Sequence, residues 1–169
     1  MRRCWIAEPG AARLNSELDQ PLVIRDLKPG EIGAAVELWQ ACGLTRPWNE
    51  PHADARRAID GPASVILAGF LGQHLAATVM AGADGHRAWV YYLAVSPARR
   101  GAGHARAMMT AAEDWARGRG MPKLELMVRD GNEAAAFYDA IGYRRESVSV
   151  YSTWLTSDAK RPAIAVRGG

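Results

Sequence analysis

The sequence predicts an α/β (α+β) domain built on a mixed sheet, and three observations support this. Strand-like and helical segments follow one another in the order β-α-α-β-β-β-α-β-α-β. Residues 89–95 are apolar throughout, which is typical of a strand buried on both faces. This strand leads through a glycine-rich turn into residues 104–117, the clearest amphipathic helix in the chain. Together these features favour one layered α/β domain.

The first half of the chain is predicted to contain a short strand, two helices and a hairpin. In the first helix Ile32, Val36 and Trp39 recur on one face, and Gly43 is a natural stop. The proline-containing loop 44–51 separates this helix from the second one. The other predicted elements here are a strand over 22–26, a helix over 53–59, and hairpin strands over 64–70 and 74–81.

The second half repeats a helix-strand pattern and closes with strand-like residues. Gly118 and Gly120 end the amphipathic helix, and Pro122 follows them. In the closing residues 143–155 small polar and apolar side chains alternate, which predicts one or two final strands. The remaining predicted elements are a strand over 123–128 and a short helix over 133–141.

Length, composition and charge fit a single globular domain and exclude several classes of protein. The chain has 169 residues, 49% of them hydrophobic, and a net charge of +3 without a basic block, so no nucleic-acid partner is predicted. No window approaches a membrane span, and the short apolar run near residue 4 is not expected to act as a secretory signal. Cys4 and Cys42 have no metal-type spacing, so we expect no metal and a reducing, cytoplasmic location. The predicted units are a flexible extension over 1–21, a domain over 22–155 and a loose tail over 156–169.

Residues 96–109, SPARRGAGHARAMM, place arginines and glycines between the apolar strand and the amphipathic helix. A helix N-terminus offers unpaired N–H groups and a partial positive charge. Gly101 and Gly103 lack the Cβ atoms that would hold a ligand away, and they allow unusual φ angles. A pyrophosphate is the natural ligand of such a loop. A P-loop is excluded because Gly-Lys-Ser/Thr is absent, and a dinucleotide fingerprint would need a glycine at Arg106.

The strand and loop together resemble the acyl-coenzyme A binding motif of the GNAT superfamily of N-acyltransferases. That motif is Gln/Arg-x-x-Gly-x-Gly/Ala after a strand of LxVxP type, and the matching residues are Leu93, Val95, Pro97, Arg100, Gly103 and Ala105. The segments LTRPWN, DGHR and YYLAV are similar to the small bacterial subgroup called YpeA-like. The resemblance covers residues 22–155. It implies a mixed, mainly antiparallel central sheet of six to seven strands with about four helices.

The resemblance implies transfer of an acetyl group from acetyl-CoA to a primary amine by direct attack. The amine would belong to a small molecule or a protein. Family backbone groups that hold the pantetheine arm and polarise the thioester map to Leu93, Ala94 and Val95. The pyrophosphate site maps to the N–H groups of Gly101, Ala102, Gly103, His104, Ala105 and Arg106, next to Arg100 of the motif. Asn132 is a candidate CoA contact. It lies six residues before Tyr138, whereas the family asparagine lies seven residues before the corresponding tyrosine. Capping of the last helix is the alternative role.

Tyr138 is the candidate proton donor, because FYDAIGY resembles the family motif LYxxxGF, whose first tyrosine lies near the sulfur. A phenol has a pKa of roughly 10 and a thiol one of roughly 8.5, so the phenol is matched to protonate a thiolate. A packed aromatic side chain is the alternative. Three candidates for the general base are left open: Glu125, His86 and a chain of water molecules. Glu125 shares a strand face with Met127, the position at which some family members carry a glutamate.

The loop RPWNEP is the candidate acceptor side. Trp48 offers an apolar surface, Asn49 and Glu50 offer polar selectivity, and a charged Glu50 favours a cationic amine. A rigid loop with a packed tryptophan is the alternative, and Cys42 is expected to be structural. Two other functional classes stay open at this point, a catalytically silent acyl-CoA-binding domain and a Rossmann-type nucleotide-binding module. The oligomeric state, a homodimer included, is also open.

Overall fold

The computed structural model describes residues 20–155, so most of the predicted N-terminal extension and the whole predicted tail lie outside the described residues. The five strands are β1 (Val23–Asp26), β2 (Ser64–Leu71), β3 (His74–Ala83), β4 (Ala88–Val95) and β5 (Leu124–Leu126). The four helices are α1 (Ile32–Ala41), α2 (Pro51–Asp60), α3 (His104–Gly118) and α4 (Ala134–Ala140). Short 3-10 turns at Pro29–Glu31 and Pro97–Arg99 precede α1 and α3. None of the described helices combines the length and the apolarity needed to cross a membrane.

The strands form one sheet in the order β1-β2-β3-β4-β5. Neighbouring strands are antiparallel except β4 and β5, which are parallel and joined by the crossover through α3. The predicted mixed, mainly antiparallel α/β class is confirmed. A Rossmann-type module is excluded, because it needs a mostly parallel doubly wound sheet.

The predicted count of six to seven strands is wrong for the described chain, which has five. β5 is shorter than its predicted range, and residues 143–155 form no strand at all. An alternating pattern becomes a strand only where a partner supplies hydrogen bonds, and no described strand pairs with this segment. Its apolar side chains are accordingly exposed, with Val148 at 75% and Tyr151 at 93%.

Two apolar layers cover the two faces of the sheet. On one face Val36 and Trp39 of α1 pack against Ile66 of β2. On the other face Met108 and Met109 of α3 lie fully buried among side chains of β2, β3 and β4. Successive residues of β2 point to opposite faces, so this strand serves both layers and is almost entirely buried. The helices therefore hold the central strands rigidly from both sides.

A charged pair ties the end of β1 to the start of α1. The guanidinium of Arg25 donates to both carboxylate oxygens of Glu31, at 2.9 and 2.6 Å, and the Lys28 N–H donates to the same carboxylate at 2.9 Å. These hydrogen bonds lower the pKa of Glu31 to about 2, and the bond from Arg25 has the largest effect. A lowered folded-state pKa means that the carboxylate stabilises the fold at neutral pH, and that this contribution disappears as the pH falls toward 2.

Glu31→Gln is therefore expected to reduce the free energy of unfolding at pH 7 by up to about 1 kcal/mol, the range of a partly exposed pair. The difference from the wild type should shrink as the pH falls from about 4.5 toward 2, because the unfolded carboxylate is protonated first and about half of the folded carboxylates are protonated at pH 2. Urea unfolding at both pH values measures this. Glu37→Gln, at an exposed position of α1, is the matched control. An equal loss in the two variants would show that the Arg25 contact contributes nothing.

Candidate active site

A β-bulge interrupts β4 in the middle of the apolar strand. Thr78 of β3 pairs with Ala94, whereas Met80 pairs with Tyr91, so two residues of β4 lie opposite one residue of β3. Tyr92, within the bulge, has φ +49°. It is the only residue other than glycine in the described chain with a positive φ. The bulge therefore marks a place where the backbone departs from regular strand geometry.

Strands β4 and β5 separate directly beside this bulge. Their pairing ends at Val90 and Leu126, so the rest of β4 has no partner on that side. The Ser96 N–H donates to Ala76 of β3 at 2.8 Å. Because alternate residues of a strand direct their main-chain groups to opposite neighbours, those of Val95 and Leu93 are directed into the gap.

The predicted strand residues Leu93, Ala94 and Val95 lie on the part of β4 that follows the end of its pairing with β5, and this open strand edge is called the cleft below. The prediction that residues 89–95 are buried on both faces is wrong at Tyr91, which is 44% exposed. The exposure coincides with the end of the β5 partner at Val90. An apolar strand can therefore lie partly at the surface.

The glycine-rich loop stands at the open end of β4. Gly101 and Gly103 both have positive φ, +83° and +81°, and a Cβ atom built on either glycine would meet nothing within 4 Å. The first hydrogen bond of α3 runs from the Ala107 N–H to the Gly103 carbonyl at 3.1 Å. The N–H groups of residues 104–106 consequently have no acceptor within the helix. The loop thus combines open space with several unpaired donors, which is the environment that an anion such as pyrophosphate requires.

The arginines of this loop are placed differently from one another. Arg100 is exposed beside the glycines. Arg106 directs its guanidinium to the carbonyl of Ala140, at 3.4 Å, and so contacts the C-terminal end of α4. The backbone N–H of Arg106, which the family resemblance maps to the pyrophosphate site, takes no part in that contact. Arg106 therefore joins α3 to α4 through its side chain.

Tyr138 lies on α4 and packs on the same apolar cluster as Leu93 and Val95. Its ring makes edge-to-face contacts with Phe137 and Tyr143, with centroids 5.1 and 5.9 Å away. Burial raises the pKa of the Tyr138 phenol above its usual value. The hydroxyl therefore keeps its proton throughout the neutral range, as a proton donor must.

Asn132 lies two residues before α4, whose N-cap position is Glu133. Its side-chain Oδ1 accepts a hydrogen bond at 2.9 Å from the N–H of Ala134, the first residue of α4, so Asn132 bonds the start of the helix from one residue before the cap position. This bond occupies one side-chain oxygen and leaves the amide donors unassigned. The contact of Asn132 with CoA stays a prediction.

The candidate bases Glu125 and His86 lie away from the open part of the cleft. Glu125 pairs with Trp89, at the closed end, and forms an ion pair with Lys123 at 2.7 Å. Trp89 lies four positions before Leu93, or about 13 Å along a strand. His86 is exposed in a turn, where its N–H donates to Asp84 at 2.8 Å. Neither position supports direct contact with an acceptor at the bulge, and both roles stay predictions.

The predicted acceptor loop lies between α1 and α2 and reaches the cleft by two contacts. The guanidinium carbon of Arg129, just after β5, is 6.0 Å from the centre of the Trp48 ring. Asn49 donates to the Tyr92 hydroxyl at 3.4 Å. Glu50 is exposed. Trp48 thus contacts a residue that follows β5 and Asn49 contacts the bulge residue, and their acceptor role stays a prediction.

The only described cysteine, Cys42, is half-buried, and its thiol contacts the Val95 carbonyl at 3.3 Å. Within residues 20–155, His, Cys, Asp and Glu side chains form no group of three or more that could hold a metal ion.

Sequence reasoning missed Tyr92 and Asp54, whose side chains are hydrogen-bonded at the bulge. The available signal was a tyrosine within an apolar strand, because a buried phenol needs a hydrogen-bond partner.

A mixed, mainly antiparallel sheet whose β4–β5 pairing ends beside a bulge, followed by a glycine-rich helix N-terminus, agrees with the acyltransferase class that the loop resembles. The model of the Acetyltransferase (GNAT) family matches residues 33–143 of this chain. The chain belongs to this family, as the resemblance of the loop predicted.

Proteins of two bacteria are similar to most of this chain. An acetyltransferase of Pectobacterium atrosepticum is 37% identical over 121 residues, which cover 71% of this chain and 86% of that protein. An acetyltransferase of Yersinia enterocolitica is 34% identical over 136 residues, covering 80% of this chain and 96% of that protein. Among solved structures, AAC(6')-Iy in complex with the bisubstrate analogue CoA-S-monomethyl-acetylneamine has a TM-score of 0.69 at 14% identity, covering 80% of this chain and 99% of that one. At that identity the structural likeness shows the fold alone, and the fold agrees with the family.

Proposed function

We propose that this chain transfers the acetyl group of acetyl-CoA to a primary amine of a small molecule or a protein. One observation carries the proposal: β4 continues beyond the end of its pairing with β5 and leads through the glycine-rich loop to the N–H groups of α3 that have no acceptor within the helix. A thioester lying along β4 and a pyrophosphate on the loop would then belong to one extended ligand. The complex of AAC(6')-Iy with a CoA-containing analogue supports the choice of coenzyme.

The backbone supplies most of the binding in this proposal. The open space beside Gly101 and Gly103 fits a pyrophosphate approaching the N–H groups of residues 101–106. The main-chain groups of Leu93 and Val95 directed into the cleft are suited to bind a pantetheine arm as an added strand would be bound. An N–H donor there also stabilises negative charge that develops on the thioester oxygen. No side chain is required for either contact.

The transfer needs a neutral amine, a stabilised oxygen and a proton for the leaving sulfur. The amine nitrogen attacks the thioester carbonyl carbon, the C–N bond forms and the C–S bond breaks. Tyr138 donates its proton to the departing thiolate, and the proton lost by the nitrogen passes to water and restores the phenol. The products are an N-acetylated amine and free CoA.

The loop between α1 and α2 is proposed as the acceptor wall. The contacts of Trp48 with Arg129 and of Asn49 with Tyr92 support this, and the exposed carboxylate of Glu50 would attract a cationic amine. The acetylneamine portion of the AAC(6')-Iy analogue is of the same chemical kind, an aminoglycoside amine. This supports a cationic amine as the acceptor proposed for the present chain.

The proposal is tested by incubating the full chain with acetyl-CoA and a panel of amines, including aminoglycosides, polyamines and peptides. Release of free thiol, followed with a thiol reagent, should depend on both substrates. Mass spectrometry should find an acceptor heavier by one acetyl group. Thiol release without an acetylated product would mean hydrolysis rather than transfer.

A catalytically silent acyl-CoA-binding domain is the second candidate. It is favoured by the hydrogen bond that engages the Asn132 side chain with the Ala134 N–H and by the ion pair that engages Glu125. Acetyl-CoA binding in calorimetry with no product across the whole panel would support this candidate and exclude the first.

A further inference from the structure

The bulge at Tyr92 is held in a backbone conformation that a bulky residue rarely adopts. Its φ of +49° lies in the left-handed region, where the Cβ atom of any residue except glycine crowds the backbone. Such residues persist only where the surroundings fix them, and they concentrate at functional sites. The contacts that fix Tyr92 therefore indicate what this bulge is built to do.

Two contacts hold Tyr92 from the core side. Its ring stacks on that of Trp39, with centroids 4.0 Å apart and planes inclined by 18°. Its carbonyl accepts a hydrogen bond from the Thr78 hydroxyl at 3.2 Å, and that hydroxyl accepts from the Trp39 indole N–H at 2.9 Å. Trp39 and Thr78 are both fully buried, so this side of the bulge is fixed by a closed network.

A third contact holds Tyr92 from α2. The hydroxyl donates to the Asp54 carboxylate at 2.9 Å, and the other oxygen of that carboxylate is paired with Arg57. Asn49, on the predicted acceptor loop, donates to the same Tyr92 hydroxyl at 3.4 Å. The phenol of Tyr92 is therefore the point where α2, the acceptor loop and the bulge of β4 meet.

We propose that Asp54 is a positioning residue for acetyl transfer, and that it acts through Tyr92 by clamping the bulge of β4. The clamp fixes the direction of the main-chain groups of Leu93 and Val95, which face the cleft. Through Asn49 it also fixes the acceptor loop relative to those groups. The role in transfer rests on the proposed function, whereas the clamp itself is a property of the ligand-free protein.

The clamp is tested with four variants that separate its parts. Tyr92→Phe keeps the ring on Trp39 and removes only the hydroxyl. Asp54→Ala removes the acceptor, and Asp54→Asn retains an oxygen that accepts from the phenol. Tyr91→Phe, at the exposed neighbour on the same strand, is the matched control.

We expect Tyr92→Phe and Asp54→Ala each to lower kcat about tenfold, because a displaced reacting group loses rate rather than affinity. The KM for acetyl-CoA should change less than about threefold. Asp54→Asn should recover most of the rate, and Tyr91→Phe should equal the wild type. The double variant Tyr92→Phe/Asp54→Ala should be no slower than either single one, because both remove the same bond.

Hydrogen exchange of the ligand-free protein tests the clamp without reference to activity. The amides of Ala94 and Ser96, which face β3, should exchange faster in Tyr92→Phe and Asp54→Ala than in the wild type and in Tyr91→Phe. Unchanged exchange would overturn the clamp, even in a protein that proves inactive. Increased exchange with kcat within twofold of the wild type, or Asp54→Asn as impaired as Asp54→Ala, would overturn the positioning role. A wild type that transfers no acetyl group would instead count against the proposed function.

Discussion

Replacing Gly103 by valine is expected to raise the dissociation constant of CoA about 100-fold, because one or two charge-assisted contacts of the pyrophosphate are lost. Two physical effects act together. The new side chain occupies the open space beside the loop, where nothing lies within 4 Å of a built Cβ. Its β-branched form is also incompatible with φ +81°, so the loop must change its conformation. Calorimetric titration with CoA measures the affinity.

Gly120→Val is the matched control for this prediction. Gly120 follows the other end of α3, has φ +73° and likewise has nothing within 4 Å of a built Cβ. The two variants therefore carry the same kind of backbone strain, and similar losses of thermal stability are expected. Only Gly103→Val should lose CoA. Equal affinities in the two variants would refute the assignment of the loop at α3 as the coenzyme site.

The loop before α3 was predictable from the sequence because its structure is determined by local chemistry. The positive φ angles of Gly101 and Gly103, the turn opened by Pro97 and the start of α3 at His104 all follow from residue types within ten positions. The two buried faces of the sheet were predictable for the same reason. Period-two and helical patterns are local properties of a segment.

The bulge of β4 was not predictable, because the contacts that hold it come from distant parts of the chain. The Tyr92 hydroxyl finds Asp54 at a separation of 38 residues, and the Trp39 indole finds Thr78 at a separation of 39. The segment YYLAV has the composition of an ordinary buried strand. Nothing local to it specifies a register shift against β3.

The position of Glu125 shows the same limit. Sequence alternation places Glu125 on the face of a strand, but it does not say where β4 and β5 separate. The structure puts Glu125 opposite Trp89, in the paired part of the two strands. The prediction of final strands over 143–155 is wrong for a related reason, since an alternating pattern does not identify the partner that a strand needs.

Tyr138→Phe is expected to lower kcat about 100-fold and to leave the affinity for acetyl-CoA within about twofold, as for loss of a general acid. Phenylalanine keeps the edge-to-face packing on Phe137 and Tyr143, so the apolar cluster under α4 should be preserved. Only the phenolic hydroxyl is removed, and with it the proton that it would donate. Steady-state rates at saturating acetyl-CoA measure kcat, and titration with acetyl-CoA measures the affinity.

Tyr143→Phe separates the chemical role of a phenol at Tyr138 from a structural one. The Tyr143 hydroxyl donates to the Glu113 carboxylate at 2.8 Å, so its loss should lower stability by about 1 kcal/mol. Its kcat should stay at the wild-type level, because this phenol is already bonded to α3. If the two variants lose rate in proportion to their loss of stability, the phenol of Tyr138 acts by packing, and the thiolate must take its proton from water.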